Sequence, residues 1–237
     1  MAVKCCAHRE WLVVLLGLLV IIGVLPAFAQ QQLSPAMQAF AGKDYAGYLA
    51  GAAEELVGVE ERPQAAFNAI LVTAVALEKT QGWGGASGKP VAGLLAKSPD
   101  AARYLGAVKL LLQGNTDGLT KLFDGPAPSP DALGRGARTL REHGFPLAAD
   151  CLLAVSPDMP GKRVQAWLSV PKEQRAPVAK VMEALLDTVN MRQLGEMALA
   201  MYIKPPPDLT VDRAELLAFA RQYGSPQQAL SFDTVER

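Results

Sequence analysis

The 237-residue chain balances 23 basic against 23 acidic side chains and has no basic block, which argues against nucleic acid and an anionic membrane surface as principal partners. Half of its side chains are hydrophobic, enough to core one large domain or a run of repeats. Its 3 cysteines and 2 histidines leave few donors for metal or haem chemistry.

Lys4 and Arg9 precede an uninterrupted apolar run from Trp11 to Leu25, and Pro26-Ala27-Phe28-Ala29 then leads into Gln30, Gln31 and Gln32. A basic start, an apolar centre and small residues at Ala27 and Ala29 match a secretory signal peptide over residues 1–29, cut before Gln30. The expected location is extracytoplasmic, periplasmic or secreted. A retained single-pass anchor is the alternative. The 15-residue run would rise about 22 Å as a helix against a hydrocarbon layer of about 30 Å, and extension to Ala29 reaches about 28 Å. Cys5 and Cys6 lie before the apolar run, so neither can become a lipidated new N-terminus. In a retained anchor they would be juxtamembrane and open to palmitate in a eukaryotic cell.

Cleavage would leave 208 residues, 30–237, with 21 basic and 22 acidic side chains, read as a single all-helical domain. Cys151 and His143 are then the only cysteine and histidine. No intramolecular disulfide can form, a Cys/His zinc site cannot be assembled, and no Cys-x-x-Cys-His offers haem attachment. Stability must come from apolar packing, and no cofactor or metal is expected.

Alanine and leucine dominate this region, and strand-like runs of β-branched and aromatic residues are missing. Phe67, Ile70, Leu71, Ala74 and Leu77 fall on one helical stripe. Gly82-Trp83-Gly84-Gly85-Ala86-Ser87-Gly88 reads as a glycine-rich loop. Ser98-Pro99-Asp100-Ala101 and Ser129-Pro130-Asp131-Ala132 each predict a helix start. Ser caps the free amides, Pro loses no amide at the first position, and Asp faces the positive dipole end. Ser156-Pro157-Asp158 is a third copy, and Ser34-Pro35 and Ser225-Pro226 are partial ones.

Gly114 and Gly144 follow the first two starts by 16 and 15 residues, where a left-handed cap would end each helix. Shorter helices are then expected around Leu119 to Phe123 and Leu147 to Val155. Downstream, Val178, Val181, Met182, Leu185, Leu186 and Val189 form a second stripe, and Leu194, Met197, Ala198 and Met201 a third. Lys204-Pro205-Pro206-Pro207-Asp208 reads as a stiff connector before a helix capped at Thr210 and running through Ala214 to Tyr223. The fold class is all-α, either stacked helical hairpins (α-solenoid-like) or an irregular helical bundle.

The starts at Ser98, Ser129 and Ser156 lie 31 and 27 residues apart, giving degenerate units over 98–128 and 129–156. Residues 99–155 resemble the tetratricopeptide or Sel1-like class of helical-hairpin repeats, through Leu105-Gly106 of the first helix and the turn glycines Gly114 and Gly144. Pro157 comes about one helical turn earlier than the class would place it, and most aromatic signature positions are absent. The resemblance implies a stacked helical scaffold that binds protein or peptide.

No catalytic, cofactor-binding or metal residue is expected. Gly84 to Lys89 departs from a phosphate loop, because Trp83 stands where the first glycine belongs and Pro90 where the magnesium-holding hydroxyl belongs. Ser169-Val170-Pro171-Lys172 has Ser-x-x-Lys spacing but no Ser-x-Asn, so Ser169 is read as a helix-start residue. Cys151 lies in an apolar helix, which favours a core residue over a Cys151–His143 dyad. Met182, Met191, Met197 and Met201 suit Cu(I) chemically but occupy apolar stripes. Glu54-Glu55 and Glu60-Glu61 flank Val57-Gly58-Val59 and are read as solvated rather than as paired acid and base. Trp83 is expected to pack on a neighbouring helix.

The reading that follows is an exported, non-catalytic helical-repeat scaffold or assembly factor with a protein partner. Its rivals are an enzyme or small-ligand binder with a dispersed site, and a membrane-anchored accessory protein if residues 11–29 are retained. A deep polar pocket would favour a small ligand; an open groove would favour the scaffold.

Overall fold

The structure, a computed structural model, describes residues 33–225 apart from 87, 157–159, 208 and 210. The expected signal segment and the Ser-Pro-Asp at 156–158 therefore lie wholly or mostly outside the described residues. The fold is all-α, with no strand among the described residues. The first helices are α1 (Pro35–Ala41), α2 (Tyr45–Glu55), α3 (Phe67–Lys79) and α4 (Gly88–Leu95). Two hairpins follow: α5 (Pro99–Leu112) with α6 (Asp117–Leu122), then α7 (Pro130–Glu142) with α8 (Pro146–Val155). The remainder is α9 (Pro160–Ser169), α10 (Arg175–Leu185), α11 (Thr188–Ile203) and α12 (Arg213–Tyr223).

The local signals explain these bounds. Ser98 and Ser129 accept hydrogen bonds from the amides of Ala101 and Ala132, with Pro at the first helical position of α5 and α7. Ser34 caps α1 in the same way through Met37. Gly114 and Gly144 take φ of +78° and +81°, and the next amides, Asn115 and Phe145, reach back to the carbonyls of Leu110 and Leu140. Each corner is thus a glycine-terminated helix end that turns the chain into a shorter second helix.

Packing departs from a regular stack. Helix α3 is buried on every side, with Phe67, Ile70, Leu71, Ala74 and Leu77 inaccessible as their stripe requires. It lies against α2, α5 and α7. The helices that follow the two Ser-Pro-Asp corners, α5 and α7, make at most marginal contact with each other, because α3 offers both a larger apolar face. Beyond them α8 packs on α9 and α10, α9 on α11, and α11 on α12.

Four local expectations are corrected. The stripe from Val178 to Val189 is not one helix: Leu186 is extended, and Asp187 caps a new helix by accepting from the Asn190 amide at 2.8 Å. Val178, Val181 and Met182 are buried, while Val189 is 61% exposed. The last helix is capped by Asp212, not Thr210, since its carboxylate accepts from the Ala214 amide at 2.9 Å. Ser169 ends α9 rather than starting a helix, and its hydroxyl donates back to the Gln165 carbonyl. The glycine-rich loop is a short 3-10 turn, Gly82–Gly84, and its last glycine already opens α4.

Two side chains hold helix ends that cannot satisfy themselves. Arg103 of α5 donates to the carbonyls of Lys121, Leu122 and Pro126 and to the Asp100 carboxylate, closing the end of α6. Arg175 of α10 donates to the carbonyls of Leu168 and Val170 and pairs with Glu215 of α12 at 2.6 Å. Desolvation pushes the Glu215 carboxyl up, but hydrogen bonds from Arg175 and Lys172 outweigh it and hold the group below its ordinary range. At the other end of α12, Gly195 lets α11 touch the helix terminus: a Cβ there would fall 2.3 Å from the Gly224 nitrogen.

Candidate functional site

A half-open groove of about 820 Å³ runs along α7, α8 and α9. It exists because small residues, Gly134 and Ala137 on α7 and Ala166 on α9, stand where larger ones would fill the gap. The glycine turn at Gly144 folds α8 back along α7, so Glu142 and Pro146 sit at one end and Ser156 at the other.

Charge is unevenly distributed along it. Arg141 forms a tight ion pair with Asp150, whose residue is 9% exposed. Burial pushes the Asp150 carboxyl up and Arg141 pulls it back, leaving it above its ordinary value. Arg138 and Lys162 are exposed in the groove, and Glu142 stands exposed at its other end. Ser156 is 1% exposed, and its Oγ has no hydrogen-bond partner among the described residues. Leu153 adds a half-buried apolar wall. The arrangement can hold an extended ligand by its polar groups. Among the described residues neither serine hydroxyl in it is hydrogen-bonded to a basic side chain: Ser169 Oγ donates to the Gln165 carbonyl, and Ser156 Oγ is unpartnered.

Of the residues weighed from sequence for chemistry, Ser169 lines the groove and the others lie elsewhere. Cys151 is inaccessible in the core, and burial pushes its thiol up to about 12. His143 is committed to α1 and α2: its Nδ1 is 3.0 Å from Tyr45 Oη, and its ring lies 4.2 Å from that of Phe40. Met182, Met191 and Met201 are buried, with Met197 37% exposed. Among the described residues no group of three or more His, Cys, Asp or Glu side chains is placed to hold a metal. Lys172 sits in a 3-10 turn and pairs with Glu215 at 3.1 Å rather than facing Ser169 one helical turn away.

Of the acidic pairs, Glu55 accepts from Ser34 and Glu60 pairs with Lys97 at 3.5 Å. Trp83 packs against the core as expected, its Nε1 donating to Glu78 and its ring under Lys109 Nζ at 4.9 Å.

Sequence reasoning passed over the groove residues. One signal was present: Asp150 is the single charge in the apolar run from Leu147 to Val155, and a buried charge needs a partner. Nothing in the order of residues says that Arg141 is that partner, or that Lys162 and Ser156 line the same groove. Comparison of the chain with protein-family models, curated proteins and solved structures finds no match.

Proposed function

We propose that this chain is an exported helical scaffold or assembly factor that takes a segment of a protein partner into the groove of α7, α8 and α9. The groove carries the reading: it is half-open and lined mainly by small and polar side chains, as suits an extended segment more than an enclosed substrate. The caps and glycine turns at Ser98, Gly114, Ser129 and Gly144 support hairpin units of the tetratricopeptide or Sel1-like kind, as units rather than as a regular stack. The basic, apolar and small-residue pattern of residues 1–29 supports export.

Panning the protein against a displayed library of random peptides tests the binding face. Enriched peptides should slow hydrogen exchange in α7, α8 and α9. A library that yields no binder, or binders that protect only other helices, overturns the reading. Export has its own measurement: the intact mass should lack residues 1–29, and a chain still carrying them in the membrane fraction makes it an anchored protein instead.

A further inference from the structure

Among the described residues the groove holds cations without ion-pair partners and a buried hydroxyl without an acceptor or donor. Arg138 lies midway along α7 and Lys162 in the first turn of α9; neither forms an ion pair among the described residues. Beside Lys162, Arg163 is 4% exposed and likewise unpaired with any described carboxylate. Its Nε donates to the Ala154 carbonyl at 3.3 Å, and its Nη2 has no partner. That guanidinium offsets the negative end of α8, which would otherwise repel an anion. Ser156 closes α8 at this end with its unpartnered Oγ, an unfavourable state that a ligand acceptor would relieve.

The carboxylates do not cancel this surplus. Asp150 is taken by Arg141, and Glu142 lies one helical turn from Arg138, at the end of the groove away from Lys162. Among the described residues the positive charge left without a nearby carboxylate is therefore greatest at the Lys162 end of the groove.

We infer that the occupant is an acidic peptide segment, its carboxylates against Arg138 and Lys162 and an acceptor on Ser156 Oγ. This rests on the groove being the partner-binding face. A guanidinium and an ammonium without competing carboxylates favour Asp or Glu side chains and oppose Lys or Arg. Glu142 sets the direction, since it repels acidic residues from the far end.

Hydrogen exchange of the protein, purified as the cell delivers it, tests this with tetraglutamate, tetralysine and a glycine–serine tetrapeptide. Tetraglutamate should protect α7 through α9, with binding that weakens as salt is raised. The double variant R138A/K162A, both exposed positions, should lower its affinity by about tenfold or more. S156A should weaken it less, and an S156A protein that binds tetraglutamate as tightly as the wild type overturns the Ser156 contact. Equal protection by tetralysine or the neutral peptide overturns the acidic preference, as does tetraglutamate that leaves the groove unprotected. Library peptides that still occupy the groove in that case show that the binding face itself stands. Failure of those peptides as well removes both.

Discussion

Tyr45 and His143, 98 positions apart, meet in a hydrogen bond of 3.0 Å between the phenol oxygen and Nδ1. The bond fastens the first two helices to the corner between α7 and α8. Phe40 covers the imidazole, and Lys43, Lys79 and Glu142 supply the surrounding charge.

This contact predicts acid sensitivity. Burial holds the His143 imidazole below its ordinary 6.5, Lys43 and Lys79 add to the depression, and Glu142 opposes it. The unfolded chain therefore takes up the proton first. Stability is unaffected above pH of about 6.5 and falls as the pH drops from there towards the folded value. Denaturation midpoints measured between pH 7.5 and pH 5.5, about one unit either side of the ordinary 6.5, should decline in the wild type and decline less in His143→Gln. Identical slopes for the two proteins would exclude His143 as the source. Tyr45→Phe should cost about 0.5–1.5 kcal/mol at neutral pH.

Gly195 and Gly106 should respond to alanine with opposite signs. At Gly195 a Cβ would meet the Gly224 backbone at 2.3 Å, which forces α11 and α12 apart and costs on the order of 1–3 kcal/mol. At Gly106, exposed within α5, nothing lies within 4 Å, so alanine should stabilise by about 0.5–1 kcal/mol. Chemical denaturation of the two variants reads both signs.

Cys151 should react slowly with a thiol reagent in the native protein and quickly after denaturation, because the side chain is inaccessible and its thiolate disfavoured. Cys151→Ser should destabilise by about 1–3 kcal/mol for want of a partner for the new hydroxyl. Fast labelling of the native protein would show that α8 is not packed as described.

Ser98→Ala and Ser129→Ala should each cost about 1 kcal/mol, since each removes the acceptor for the third amide of its helix. The caps share no partner, so the double variant should lose the sum of the two.

How much of this could be read in advance depended on whether the cause was local. The caps at Ser98 and Ser129, the left-handed turns at Gly114 and Gly144, and the stripe of α3 are determined by residues within a turn or two of one another. Helix α4 was hidden because Pro90 and Gly93 sit inside it, and both read as breakers. The break after Leu185 was hidden because the apolar spacing continues across it, while the interruption comes from Asp187 capping a new helix. The cap at Asp212 lies two residues from the expected Thr210, a margin finer than a pattern resolves. The groove was illegible for a different reason. Its polar residues come from three helices, and the space between them depends on how far Gly134, Ala137 and Ala166 let those helices approach.

Arg103 leaves little freedom for substitution. Its two terminal nitrogens serve three carbonyls and a carboxylate, and its guanidinium lies 4.6 Å from the Tyr104 ring, whose hydroxyl donates to the same Pro126 carbonyl at 2.6 Å. A lysine keeps the charge but has one nitrogen, which cannot span acceptors spread over residues 100 to 126. Position 103 is therefore constrained by shape rather than by sign, and a substitution that looks conservative there would release the end of α6 and the turn after it together.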